Sequence, residues 1–180
     1  DFVILQPMKP SPPGWNLNSL TSFFDEVREN QFATFHHRAE AKDMVAIDRI
    51  LWTLLSENVN PTPMFPMQFF LRAHSCFRTA AASAMAGQIY EATVLQRSTL
   101  ESAAYGLHIG SHQERAITWL SRHDSKSATE KVRKEFSYGE MRRHFYADHP
   151  SLAASFANLY ELSVDFGAHP NEAGFSISSS

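Results

Sequence analysis

Hydrophobic positions recur along most of this chain at intervals of three and four, the spacing that puts side chains on one face of an α-helix. Leu20, Phe23, Phe24 and Val27 show it first, and Asn16 or Asn18 can supply the cap for the first free amides. The pattern predicts a helix from about Ser19 into the thirties. A second run, Met44, Ile47, Ile50, Leu51, Leu54 and Leu55, predicts an amphipathic helix over about Ala41 to Glu57. Asn60-Pro61-Thr62-Pro63 then breaks the pattern, because each proline pushes the residue before it out of the α region.

From about Pro66 to His108 the residues are mostly strong helix formers. Phe69, Phe70, His74, Phe77 and Ala81 make one stripe, and Leu95, Leu100, Ala103 and Leu107 a later one. Gly87 marks either the turn between two long antiparallel helices or a bend in one. Ser111-His112-Gln113-Glu114 matches a capping box opening a short helix through Ile117, Trp119 and Leu120. Asp124 to Ser127 reads as a polar turn. Further helices follow over about Ala128 to Phe136, Gly139 to Tyr146 and Ser151 to Phe166, and Gly167-Ala168-His169-Pro170-Asn171 stops the series.

These elements predict an all-α fold, a multi-helix bundle around the long antiparallel pair. Residues 1–16 form an extended Pro-rich N-terminal arm, since four of the nine prolines fall between Gln6 and Gly14. Residues 17–173 make one helical-bundle domain, and 174–180 a short edge strand or frayed tail. No internal repeat or sustained heptad is present.

Composition narrows the function classes. The formal net charge of -3 gives no general attraction to nucleic acid or to an anionic membrane surface. No stretch approaches the ~20 apolar residues of a membrane span. Cys76 is the single cysteine and cannot form an intramolecular disulfide, so a reducing cytoplasm is expected. The chain begins at Asp1 without an initiator Met or the basic start of a signal peptide, and residues before Asp1 are expected. Gly-rich phosphate loops, Gly-x-Ser-x-Gly elbows and Cys-His nucleophile contexts are absent from the sequence.

Candidate chemistry lies in three places. Arg97, Glu101, Tyr105 and His108 fall at successive helical steps, so four polar or amphipathic groups share one side of an otherwise apolar helix. A buried Arg97-Glu101 ion pair is expected there, with a functional polar pocket as the alternative. His169 and Asn171, in the loop that stops the last helix, are either part of a C-cap or contributors to the same pocket. Arg143 and His149 match the R-x(4-6)-H spacing of HEPN ribonucleases, in which an arginine stabilises phosphate charge and a histidine moves protons; the bland alternative is a solvated basic face. Nine histidines are present, and His108 and His112 have a two-ligand spacing, but Gly110-Ser111 interrupts it and no thiolate or Glu-x-x-His partner accompanies it. Neither a metal nor another cofactor is expected.

Leu95-Gln-Arg97-Ser-Thr-Leu-Glu101-Ser-Ala-Ala-Tyr105, Trp119-Leu-Ser-Arg122, Tyr160-Glu-Leu-Ser163 and His169-Pro170 together resemble a family of bacterial helical-bundle proteins, HEPN-like in outline, whose function is unknown. The resemblance spans about Leu95 to Asn171. It implies that Arg97, Glu101 and His169 converge in the bundle, and it implies no reaction. The chain departs from HEPN ribonucleases in carrying its R-x(4-6)-H spacing at Arg143 rather than on the final helix. The leading expectation is a non-catalytic interaction or dimerisation module, with a regulatory or defence-associated role as one option and a protein partner or a second copy as the partner. The competing class is a metal-independent HEPN-like ribonuclease acting on RNA through Arg143 and His149.

Overall fold

The computed structural model describes residues 11–58, 64–148 and 150–168. Asn18 stands in extended backbone and its side chain accepts from the Thr21 amide, which starts α1 at Ser19–His37. Then come α2 (Glu40–Glu57), α3 (Phe65–Met85), α4 (Ile89–Gly110), α5 (Gln113–Leu120), α6 (Lys126–Glu135), α7 (Tyr138–Asp148) and α8 (Pro150–Ser163), which continues as one π-helical turn, Val164–Ala168. The described residues contain no strand, and the tail 174–180 lies outside them. Residues 1–10 of the arm lie outside the described ones; within the rest, Pro13 to Asn16 form a turn, and the Trp15 indole donates to Asp25 of α1 at 2.9 Å.

Gly87 makes a turn, not a bend. Its φ of +82° is left-handed, a region that glycine enters without the Cβ penalty. The Gln88 amide reaches back to the Ser83 carbonyl at 2.9 Å and the Gly87 amide to Ala84 at 3.0 Å, the paired bonds of a Schellman ending. The chain therefore reverses, and α4 packs along α3 over most of its length. Small residues make this approach close: Ala73 and Ala80 on α3 and Ala92 and Ala104 on α4 are buried.

The capping box expected at Ser111 does not form. Ser111 ends α4 and its hydroxyl donates to the Leu107 carbonyl at 2.8 Å, leaving His112 as an N-cap without a side-chain bond. Competition between local backbone acceptors decided it: the hydroxyl bonds the preceding turn instead of the following one. Ser125, by contrast, caps α6 through the Ala128 amide.

The core lies toward the C-terminal half. One buried cluster joins Ala104, Met141, Phe145, Ala153 and Phe156, and a second joins Ile109, Ala116, Val132 and Phe136. The N-terminal hairpin is different: α1 buries no residue and α2 only Ala41. Polar bonds fasten α1 instead, with Gln31 donating to the Ala82 carbonyl at 3.0 Å and Thr34 to the Met85 carbonyl, in the last turn of α3, at 2.8 Å. Among the described residues no helix is long and apolar enough to cross a membrane.

Candidate functional site

The helical spacing of Arg97 and Glu101 does bring them together. Arg97 Nε donates to Glu101 Oε1 at 2.9 Å, and Tyr160, from α8, closes the group: Arg97 Nη2 donates to its hydroxyl at 3.1 Å and that hydroxyl donates to Glu101 Oε1 at 3.3 Å. The Arg97 guanidinium also lies 5.2 Å from the centroid of the Tyr160 ring, which stacks on Tyr138 with centroids 4.2 Å apart. The pair is not buried as expected, since the two side chains are 30% and 36% exposed. The reason is its position on the flank of α4, where α8 covers one side and the other side of Glu101 opens into a hollow. Glu101→Ala should accordingly lower stability by about 1 kcal/mol or less, the scale of a solvent-screened pair, as read by urea unfolding.

Beside this group is a hollow of about 150 Å³ between α3, α4 and α5, lined by Phe69, Arg72, Ser98, Glu101, Ser102, Tyr105 and Trp119. Its aromatic wall is pre-set: Phe69, Tyr105 and Trp119 contact one another at centroid distances of 5.2 to 5.8 Å. Burial raises the Tyr105 phenol above its ordinary range, and the Glu101 charge adds to that, so the group stays protonated at neutral pH. Thus two of the expected pocket residues, Glu101 and Tyr105, share a concave site, and Arg97 holds Glu101 from outside the lining.

His108 does not join them. It is 1% exposed and packs edge-on against Phe136, with ring centroids 5.2 Å apart. Both ring nitrogens lack a hydrogen-bond partner; the Glu135 carbonyl faces the ring but outside bonding geometry. Burial pushes its imidazole down to about 4, and the Arg115 charge and His144 add to the effect. Arg115, itself 8% exposed, donates from Nη1 to the His108 carbonyl at 2.9 Å. Its Nη2 lies 3.3 and 3.5 Å from the two ring nitrogens of His144. Near-equal distances to both place the guanidinium over the ring face, a stacking contact and not a bond to one lone pair.

A second ionic group was missed by the spacing argument. His74 of α3 meets Asp48 of α2 at 2.7 Å, and Arg78 holds both oxygens of Asp48 at 2.7 and 3.0 Å. The Arg78 hydrogen bond, with His74 behind it, lowers the Asp48 carboxyl to about 2. The signal existed in the sequence, since Asp48 interrupts the apolar stripe Met44, Leu51, Leu55 and His74 interrupts Phe70, Phe77, Ala81.

The residues of the ribonuclease reading fare differently. Arg143 is a surface residue of α7, 71% exposed, with Nη1 bound to Glu140 at 2.7 Å. His149, His169 and Asn171 lie outside the described residues. Among the described residues no three His, Cys, Asp or Glu side chains are placed to hold a metal ion. Comparison with family models, with curated proteins and with solved structures finds no match.

Proposed function

We propose that the protein is a self-association module, and that its α1–α2 hairpin is the contact surface for a second copy. The observation that carries this is the apolar character of a face that the described residues leave uncovered. On α2, Met44, Asp48, Leu51 and Leu55 follow the side turned to α3, and Ile47, Ile50 and Leu54 form a second stripe beside it, exposed at 45%, 68% and 38%. On α1, Phe24, Phe32 and Phe35 flank the edge fastened to α3 and are 45%, 62% and 57% exposed. A helix apolar over two stripes has more to bury than one neighbour can cover.

The extent fits a dimer. With Leu20 and Phe23 included, α1 and α2 offer on the order of 800 Å² of exposed apolar side chain, comparable to the roughly 800 Å² that each partner of a stable complex contributes. The net charge of -3 is too small to oppose pairing of like copies. A hollow of about 310 Å³ beside Ile47, walled by Phe77 and by Ala80, Ala81 and Ala84, gives a second copy's side chains a place to insert. The single cysteine fits assembly in a reducing cytoplasm without a disulfide.

Sedimentation equilibrium tests this directly. The parent chain should sediment at twice its mass, and Ile50→Glu/Leu54→Glu should sediment as a monomer with unchanged helical circular dichroism. A parent chain that is monomeric at tens of micromolar, or a double variant that still dimerises, would overturn the reading.

A further inference from the structure

The hollow bounded by Phe69, Glu101, Tyr105 and Trp119 is furnished with donors that no described residue uses. Ser102 is 5% exposed, lines the hollow and makes no hydrogen bond among the described residues. Its oxygen opens onto solvent through the hollow, where water meets it, and a ligand oxygen can replace that water. Ser98 and Tyr105 line the same space and also lack hydrogen bonds among the described residues.

Charge points the same way. Glu101 is the hollow's carboxylate, and its Oε1 is engaged by Arg97 and by the Tyr160 hydroxyl. Arg72, on α3, is the hollow's cation, and among the described residues no carboxylate pairs with it. Beside the partly paired Glu101, Arg72 and three hydroxyl groups face a space walled on its other side by Phe69, Tyr105 and Trp119. A guanidinium beside a partly dry aromatic wall favours a planar anion, which it can meet through two parallel N–H groups. At about 150 Å³ the space is smaller than a drug-sized site, which begins at roughly 300 Å³, so its ligand has no more than about one ring.

We propose that this hollow binds a small carboxylate with a flat apolar body, the carboxylate on Arg72 and the Ser98 and Ser102 hydroxyls and the body against Phe69, Tyr105 and Trp119. The site is formed by α3, α4 and α5 and lies away from the α1–α2 hairpin, so it stands or falls independently of self-association. Ligands of this class are monocarboxylic acids with an aromatic or short branched body.

Benzoate is the probe, measured on the full chain by saturation-transfer NMR and isothermal titration, with benzamide as its neutral isostere and inorganic phosphate as an oxyanion without a ring. Benzoate should bind with Kd on the order of 1 mM, as expected of so small a ligand. Benzamide and phosphate should each bind at least about tenfold more weakly. Arg72→Gln removes a charged hydrogen bond from an exposed side chain and should weaken benzoate about 10- to 100-fold without changing the melting temperature. Ser102→Ala should weaken it a few-fold. Absence of benzoate binding would overturn the proposal, as would equal affinity for benzamide or for phosphate, or an Arg72→Gln variant that binds like the parent.

Discussion

Taking the protein from pH 7 to pH 4 should remove about 3 kcal/mol of folding stability, and His108→Leu should remove most of that loss. The unfolded imidazole has its ordinary pKa near 6.5, whereas in the fold burial holds it at about 4. Between those values the unfolded chain binds a proton that the folded chain refuses, so the contribution is complete above about 6.5 and falls away as pH drops toward 4. At 1% exposure little solvent screens the effect. The groups facing the ring act together: Arg115 from α5 and His144 from α7 repel a proton, and the Glu135 carbonyl of α6 attracts one too weakly to compensate.

The same substitution should raise stability at pH 7. His108 carries two buried nitrogens without partners, and an apolar side chain of similar size has no such groups to desolvate, which is worth about 1–3 kcal/mol. Urea midpoints at pH 7, 5.5 and 4 give both quantities. Asp48 separates from this cleanly. Its folded pKa lies at about 2, below the ordinary 3.8, so its contribution is complete above 3.8 and is lost only as pH falls toward 2. If His108→Leu loses as much stability as the parent over that interval, another group controls acid unfolding.

His108 also shows where the sequence was readable and where it was not. Local periodicity located the helices because each helix needs only its own apolar stripe, and the Schellman ending at Gly87 follows from one residue's permissiveness. Arg97 and Glu101 were readable for the same reason, being one helical turn apart on α4. What the stripe could not give was depth. Arg97, Glu101, Tyr105 and His108 share one side of α4, yet α8 covers the first two only in part while α5, α6 and α7 close over His108. That difference comes from elements remote in sequence, as do the meeting of Asp48 with His74 and the sharing of one hollow by Arg72 and Ser102. Exposure of α1 and α2 was equally hidden, because an apolar stripe reads the same whether its partner is in the chain or in another copy.

Gly106 sits at the joint between α3 and α4, where a side chain larger than alanine should cost the fold. Glycine inside a helix is unfavourable by roughly 0.5–1 kcal/mol relative to alanine, so its place in the interior of α4 needs a reason. Phe70 supplies it: a Cβ on Gly106 would meet Phe70 Cζ at 3.0 Å and Cε1 and Cε2 at 3.1 Å. The ring ends against the backbone of α4, and contact that close is available only without a side chain. Gly106→Ala should be near neutral, because the gain in helix propensity offsets a shift of the ring by a few tenths of an ångström. Gly106→Val adds two methyls that cannot be absorbed this way, and overpacking of this kind costs about 1–3 kcal/mol, to which the lower helix propensity of a β-branched residue adds. Phe70→Leu, which shortens the opposing side chain, should recover part of the loss in the Gly106→Val background though it destabilises the parent. A double-mutant cycle read by thermal unfolding measures that coupling. Additive losses, or a Gly106→Val variant that melts with the parent, would mean that α3 and α4 are held apart by contacts other than this one.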